Sequence, residues 1–207
     1  MDRDTFDIYE YIQQRPALAA EGKVSQLTLA KGEYIYNPPQ NVGRIFLIKA
    51  GVVKIGSYSL KGNEVVYDVL VTGDTFGNLR FLEREFNEFA KAITPLEYYS
   101  FDLAFFRRII VEDHTISEWF NYNVVKRWCK SEARLFSIAA NDVATRIVNL
   151  FQELHPHYEK NNINFELLLT QQDIADLVGA TRQTVARAVK KLRAENEDVF
   201  LTTPIAV

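Results

Sequence analysis

Glycine placement divides the chain into two parts that can fold in different ways. Eight of the nine glycines lie before residue 78, and the ninth is Gly179. From Leu96 to His155 there is neither glycine nor proline. The first part therefore has to turn often, whereas the second lacks the residues that most strongly break helices. This distribution predicts a many-turned β structure followed by long helix, with the change near residue 104.

The first part also has the composition of β-strands. Between Lys23 and Asp102, short runs rich in Val, Ile, Tyr and Phe, such as RIFLIKAG, VVKIGSYS, EVVYDVLV and LEYYSFD, are separated by glycine or proline. Spacing of this kind is typical of sandwiches and barrels. We expect a small antiparallel β-roll of the jelly-roll type, with a hairpin whose tip is Lys61-Gly62-Asn63.

The next segment, residues 104–140, predicts one long helix. Ile116, Phe120, Val124 and Trp128 repeat every four residues, and further apolar side chains lie off that stripe. A helix of about 25 residues with two apolar sides buries one side in its own chain and needs another partner for the second. The same helix of a second subunit is the economical partner, and a helix wedged inside one large domain is the alternative. The predicted dimer contacts are Trp119, Phe120, Val124, Trp128 and Leu135.

A second helix is predicted from Asn141 to Leu154, because apolar residues there follow one helical face. The following HPHYEKNN is predicted to be a loop. His155 and His157 have the spacing of a metal-binding pair, but Pro156 separates them and no further His or Cys is nearby. Histidines exposed at a helix end are the better interpretation.

The segment LTQQDIADLVGATRQTVARAVKKL, residues 169–192, has the pattern of a helix-turn-helix. Thr170 is a good N-cap, and Asp173 three residues later suits a capping box. Gly179 lies where the chain leaves the first helix with a positive φ, and Thr181 caps the second helix. The pattern predicts two short helices joined by a tight turn.

The outward side of the second helix is where DNA contacts are expected. Arginine can make a paired contact to guanine, glutamine can do so to adenine, and further positive charges suit phosphates. Residues 170–193 contain five basic and two acidic side chains, although the whole chain has a net charge of −3. A helix pair whose basic face is merely solvated is the alternative. The predicted DNA contacts are Thr170, Gln171, Thr181, Arg182, Gln183, Thr184, Arg187, Lys190 and Lys191.

The order of a β-roll with GDTFG, a long helix, DVATRIVNLF and the helix-turn-helix resembles the CRP/FNR family of bacterial transcription regulators. The resemblance implies an α+β fold with a β-roll sensor domain at 1–103, a long dimerisation helix at 104–140 and a winged helix-turn-helix at 141–207. It also implies a homodimer that reads a palindromic site in double-stranded DNA. The acidic start MDRDTFDIYEYIQQ lacks the pattern of a signal peptide, so we expect a cytoplasmic protein. An unknown small-molecule effector and RNA polymerase are the other candidate partners.

The effector site departs from the pattern of the cAMP-binding members. GDTFGNL is similar to the family signature Gly-Asp-x-Phe-Gly-Glu-Leu, but Asn78 replaces the glutamate that holds the ribose. Glu88-Phe89-Ala90 matches the place where an arginine holds the phosphate, so an attraction of roughly 4 kcal/mol becomes a repulsion. The site becomes acidic and bulky, and Lys91 lies on the opposite strand face, so cAMP binding is not expected. The predicted effector-pocket residues are Gly73, Phe76, Gly77, Asn78, Leu79, Glu88, Phe89 and Ala90.

Composition disfavours several other functions. Cys129 is the only cysteine, and residues 1–113 contain no histidine. An iron–sulfur sensor needs several cysteines, whereas a haem sensor or a metal-dependent cupin enzyme needs histidines in the roll. No run approaches the roughly 18 apolar residues of a membrane span. We therefore expect no cofactor, no metal site, no catalytic residue and no membrane partner.

The C-terminus is short for a winged helix. After the second helix of the motif, the sequence offers one strand, Val199–Thr202, with Asn164–Leu169 as the available pairing segment. An abbreviated wing loses phosphate contacts without changing base preference. The short wing and the acidic total charge leave a second hypothesis open, a ligand-binding regulatory module with decayed DNA binding that acts through protein partners.

Overall fold

The structure, a computed structural model, describes residues 6–40, 43–81, 87–161 and 168–195. The strands are β1 Val24–Leu29, β2 Tyr34–Tyr36, β3 Arg44–Ala50, β4 Val53–Tyr58, β5 Glu64–Leu70, β6 Thr75–Phe76, β7 Glu88–Ala92 and β8 Leu96–Asp102. The helices are α1 Ile8–Gln13, α2 Pro16–Ala19, α3 Leu103–Glu112, α4 His114–Ala140, α5 Val143–Asn161, α6 Gln171–Val178 and α7 Arg182–Glu195. Two short helices precede the eight strands and the longer helices follow them, which confirms the predicted α+β class.

Backbone packing divides the chain into two compact units. The first comprises Met1–Tyr58 and Val69–Cys129, and the second comprises Ser59–Asp68 and Lys130–Val207. The second unit thus combines the tip of the β4–β5 hairpin with the helix-turn-helix. The domain boundaries at 103 and 140 remain predictions.

The β-roll consists of two antiparallel four-stranded sheets, with strand orders β1-β8-β3-β6 and β2-β7-β4-β5. Aromatic rings fill the space between them: the ring centroid of Phe46 lies 5.7 Å from that of Tyr36 and 5.2 Å from that of Phe76. Burial of each ring from water contributes about 1.5–3 kcal/mol to folding. We call the buried set around these rings the interior cluster; its members include Tyr36, Phe46, Ile48, Phe76 and Tyr98.

The opposite face of β3 and β8 holds helices. Side chains alternate along a strand, so Ile45 and Leu47 point away from the interior cluster. They pack with Ile12 of α1, Phe106 of α3 and Trp119 of α4 in a second group, the helical cluster. Because this sheet is apolar on both faces, these three helices fold onto the roll.

The predicted continuous helix over 104–140 is two helices, because the chain is extended at Asp113. Asp113 has φ −97° and ψ 114°. Its carboxylate accepts the backbone N–H of Ile116 at 3.0 Å and the hydroxyl of Tyr11 at 3.0 Å. Asp113 is therefore the N-cap of α4, and an aspartate three residues before an apolar helical position was the available sequence signal.

The predicted loop over HPHYEKNN is wrong, because α5 continues through Pro156 to Asn161. Proline lacks the N–H that would bond to the carbonyl of Gln152, which removes one helical hydrogen bond without ending the helix. Leu154 in the preceding turn is buried, so packing holds the helix on the N-terminal side of the proline.

The predicted hairpin is confirmed at Lys61-Gly62-Asn63. Gly62 has a φ of 78°, and the N–H of Ser59 donates to the carbonyl of Asn63 at 2.9 Å. The predicted wing strands, Asn164–Leu169 and Val199–Thr202, lie outside the described residues except for Leu168 and Leu169.

Candidate DNA interface and effector site

The first helix of the helix-turn-helix, α6, begins at a reciprocal capping box. The N–H of Thr170 donates to Asp173 Oδ2 at 2.9 Å, and the N–H of Asp173 donates to Thr170 Oγ1 at 3.1 Å. The helix ends at Gly179 with φ 61°, and the N–H of Ala180 donates back to the carbonyl of Ala175 at 2.9 Å. The predicted capping box and the positive-φ glycine are both confirmed.

The second helix, α7, begins at Arg182 after the predicted cap at Thr181. The N–H of Thr184 donates to Thr181 Oγ1 at 3.2 Å, and the two hydroxyls lie 2.9 Å apart. Val185 in the same turn is completely buried. The cap and this buried side chain together determine which face of α7 remains outside.

The outer face of α7 is basic over most of its length. Arg182 and Arg187 are exposed, and Glu195 is the only acidic residue in the helix. A helix N-terminus with adjacent arginines favours anions such as phosphate. Among the predicted DNA contacts, Thr184 is half-buried and the others are exposed, namely Thr170, Gln171, Thr181, Arg182, Gln183, Arg187, Lys190 and Lys191.

Large apolar side chains are exposed on α4 beyond its first turns. Trp128 is 64 % exposed, Leu135 67 % and Phe136 71 %. Val124 and Val125 are also exposed. A run of this kind on one helix is typical of a protein–protein contact.

The first two predicted dimer contacts are occupied within their own chain. Trp119 is only 4 % exposed, and its ring centroid lies 5.9 Å from that of Phe6. The Phe120 ring packs edge-on against Phe106, with centroids 5.9 Å apart. Little of the Trp119 surface is therefore left for a partner. The exposed apolar side chains of α4 also include Val125 and Phe136, which were not among the predicted dimer contacts.

Glu88 brings a carboxylate to the interior side of β7. It shares that strand face with Ala90 and Ala92, which belong to the interior cluster. The hydroxyl of Tyr36 donates a hydrogen bond to its carboxylate. A bound anion on this face would therefore meet a negative charge that the protein already holds in place.

Phe89 lies on the other face of β7 and does not add bulk to the interior, contrary to the sequence interpretation. Its ring centroid is 6.1 Å from that of Tyr34 and 5.4 Å from that of Tyr58. Lys91 is on the same side as Phe89, with its Nζ 4.5 Å from the centroid of the Tyr34 ring. Alternation along the strand thus separates Lys91 from Glu88, as predicted.

The GDTFGNL segment contributes to both faces of the sheet. Gly77 has φ 107°, and a Cβ there would lie 2.9 Å from the carbonyl oxygen of Arg44. Asn78 Oδ1 accepts the backbone N–H of Arg80 at 2.7 Å. Leu79 packs against the helical cluster, away from the interior cluster. The predicted effector-pocket residues are therefore not all directed into one space.

Sequence reasoning missed a cation on the interior face. Arg44 shares the face of Phe46 by strand alternation. Its guanidinium donates to the hydroxyl and the carbonyl of Ser100, a completely buried residue. Burial raises the pKa of Tyr98, and the nearby Arg44 charge partly opposes that rise. The alternating pattern of RIFLI was the signal that could have identified Arg44.

Two family models match the chain in the order that the structure shows. The model described as a cyclic nucleotide-binding domain matches residues 26–113, and the Crp-like helix-turn-helix domain matches residues 143–196. The chain belongs to the CRP/FNR family. This is a family of transcription regulators and not of enzymes, so the protein is a CRP/FNR-family DNA-binding transcription regulator with an effector-binding domain.

Curated relatives extend over most of the CRP/FNR protein. A CRP-like cAMP-activated global transcriptional regulator of Mycobacterium tuberculosis is 25% identical over 205 residues, which cover 94% of this chain and 92% of that protein. A global nitrogen regulator of Synechococcus elongatus is 25% identical over 169 residues, with coverage of 79% and 76%. Relatives over this length thus have different regulatory roles.

Solved structures share the fold. A cyclic nucleotide-binding domain containing protein from Listeria monocytogenes has a TM-score of 0.69 at 17% identity, covering 91% of this chain and 89% of that chain. A CRP-family transcriptional regulator from Thermus thermophilus has a TM-score of 0.65 at 16% identity, with coverage of 82% and 85%.

Among the described residues, none of the helices combines the length and the apolar composition of a membrane span. Within this same part of the chain, no group of three or more His, Cys, Asp and Glu side chains is placed to hold a metal ion.

Proposed function

We propose that this CRP/FNR protein is a homodimer that binds a palindromic sequence in double-stranded DNA and thereby regulates transcription in the cytoplasm. The observation that carries the proposal is the exposed basic face of α7, whose start is held by the Thr181 cap and buried Val185. In this motif, the first turns of the second helix enter the major groove. Arg182, Gln183 and Arg187 are the proposed base-reading residues, with RNA polymerase as a proposed partner.

The proposed dimer contact is the exposed apolar side of α4 around Val124, Trp128 and Leu135. These side chains lie on a long helix, which a second copy could cover by two-fold packing. Two-fold symmetry of the protein would place two copies of α7 on two symmetric half-sites. The palindrome is therefore a consequence of the dimer.

We further propose that the roll does not bind cAMP. Glu88 presents a carboxylate on the interior face of β7, and the buried rings of Tyr36 and Phe46 occupy space between the sheets. A micromolar ligand has only about 8 kcal/mol of binding free energy, so a repulsion of roughly 4 kcal/mol is a large part of it. The small-molecule effector, if the roll retains one, has other chemistry.

The test of the DNA-binding proposal is selection of sequences from a random duplex library by the full-length protein. We expect an enriched motif with two-fold symmetry, and a library that remains random would refute sequence-specific binding. Affinity for the selected duplex is then measured across salt concentrations. A steep loss with salt reports counterion release by basic residues, whereas a module with decayed DNA binding would bind too weakly to give a slope.

A further inference from the structure

Arg146 of α5 contacts two turns of the second unit at once. Its Nη1 donates to the carbonyl of Val178 at 2.8 Å and to that of Gly179 at 3.2 Å. Its Nε donates to the carbonyl of Asn141 at 3.0 Å. One half-buried guanidinium therefore joins the turn between α4 and α5 to the turn between α6 and α7.

The carbonyls that Arg146 binds are ones that the α6 backbone leaves without helical partners. Val178 is the last residue of α6, and the last carbonyls of a helix have no N–H from the following turn. The chain itself uses the N–H of Ala180 for the carbonyl of Ala175, one turn earlier. A cation at this end of the helix also interacts favourably with the helix dipole.

The guanidinium is directed at backbone oxygens and not at an acid. In the part of the chain that the structure describes, no carboxylate lies within ion-pair distance of Arg146. Lysine could supply the charge, but only arginine presents several N–H donors in a fixed planar arrangement. The position therefore requires the geometry of arginine as well as its charge.

The turn between α6 and α7 is also closely packed against α4. A Cβ at Gly179 would lie 3.4 Å from Cδ1 of Ile138, near the end of α4. Arg182, the first residue of α7, follows Gly179 by three positions, so the direction in which α7 leaves depends on this turn. The end of α4, the start of α5 and the turn before α7 thus meet around Arg146.

We propose that Arg146 is a positioning residue for DNA recognition: it holds the turn before α7 against the α4–α5 junction, and so sets the orientation of the reading helix without touching DNA. The inference rests on the proposed DNA-binding function. It separates Arg146 from the arginines of α7, whose proposed role is direct contact with bases.

The test compares Arg146→Gln and Arg146→Lys with the unchanged full-length protein, on the duplex selected by that protein and on a random-sequence duplex. Arg15→Gln is the matched control, because Arg15 donates to the carbonyl of Tyr11 at 3.0 Å in the other unit. We expect Arg146→Gln to weaken binding to the selected duplex about tenfold and binding to the random duplex much less. Arg146→Lys should restore only part of that loss, and Arg15→Gln should leave the ratio unchanged.

The salt dependence separates positioning from direct contact. Loss of one phosphate contact lowers the slope of log K against log salt by about 0.9, whereas loss of a positioning residue leaves the slope nearly unchanged. A lower slope with equal losses on both duplexes would overturn the inference, as would unchanged specificity in Arg146→Gln. If Arg146→Gln does not fold, full specificity in Arg146→Lys would overturn it instead. Failure of the unchanged protein to select any duplex would refute the DNA-binding proposal itself.

Discussion

Two glycines of the GDTFG segment differ in the space around them, and this allows backbone conformation to be separated from crowding. At Gly73, with φ 93°, no atom of the described residues beyond its chain neighbours lies within 4 Å of the position a Cβ would take. At Gly77, with φ 107°, that position lies 2.9 Å from the Arg44 carbonyl oxygen. Both alanine variants adopt an unfavourable φ, which costs about 1–2 kcal/mol. Gly77→Ala adds a clash with backbone that cannot move away by rotation, for a further 1–3 kcal/mol or so. Urea denaturation should therefore give Gly77→Ala a much lower free energy of unfolding than Gly73→Ala. Equal values would show that Gly77 is needed only for its positive φ and not for the close contact with Arg44.

Direct readout by α7 predicts a specific defect at Arg187. Arg187→Ala should cost about 1–3 kcal/mol at the selected duplex and relax the preference at one base-pair position in each half-site. Arg193→Ala is the control, since Arg193 lies in the last turn of α7. The loss of a phosphate contact there is expected to lower affinity on every sequence equally. Affinities of both protein variants for a panel of duplexes with single base-pair changes measure the loss of affinity and the loss of base preference. A uniform loss for Arg187→Ala would assign it to phosphate contact.

At the scale of elements, α4 predicts the oligomeric state. Trp128 is 64 % exposed, and its burial by a second copy would contribute about 1.5–3 kcal/mol. Trp128→Ser should therefore weaken dimerisation by at least about tenfold, as measured by analytical ultracentrifugation. Val111→Ser on α3 removes an apolar side chain that is 75 % exposed but lies outside α4, and it should leave the dimer intact. A monomer in the unchanged protein, or equal effects of both variants, would remove α4 as the interface.

Asp68, on strand β5, predicts a measurable ionic contribution to the stability of the second unit. Asp68 is buried and lies 3.1 Å from the Nζ of Lys130, which also pairs with Glu153 at 2.8 Å. Asp68→Asn keeps the shape but removes a buried charge, and should lower the free energy of unfolding by about 1–2 kcal/mol. Glu97→Gln, in the solvent-exposed pair with Lys49, should cost less than about 0.5 kcal/mol. Similar losses for the two variants in urea denaturation would mean that burial does not strengthen the pair of Asp68 with Lys130.

Local signals predicted elements well, and contacts between distant segments explain what they missed. The cap at Thr170 and the turn at Gly179 are encoded within a few residues, and both are as expected. The continuation of α5 past Pro156 depends instead on packing of the preceding turn, which the identity of the proline does not reveal. The contact of Arg146 with Gly179 joins residues that are 33 positions apart, so no spacing rule could have identified it. The prediction for Phe89 is wrong for another reason, because neighbours on a strand face opposite ways and only Glu88 faces the interior.

At the scale of the whole molecule, an effector in the β-roll changes DNA binding only if it binds two conformations of the protein with different affinities. The coupling is reciprocal, so DNA would then change the affinity for the effector by the same factor. If Glu88 excludes cAMP from the roll, then cAMP cannot change the DNA affinity of the protein. We therefore expect identical binding curves for the selected duplex with and without millimolar cAMP, and no heat of binding in calorimetry. A change in DNA affinity by any reproducible factor would contradict the role assigned to Glu88.

The variant Glu88→Gln tests the electrostatic reason for that exclusion. It removes the negative charge from the interior face while leaving an amide that can still accept the hydrogen bond from Tyr36. If repulsion alone excludes the nucleotide, the variant should gain cAMP affinity measurable by calorimetry, because roughly 4 kcal/mol of unfavourable interaction is relieved. Glu64→Gln, a single charge change on β5, is the control and should gain none. If Glu88→Gln also fails to bind, the packed rings of Tyr36 and Phe46, and not the charge, close the roll to nucleotides.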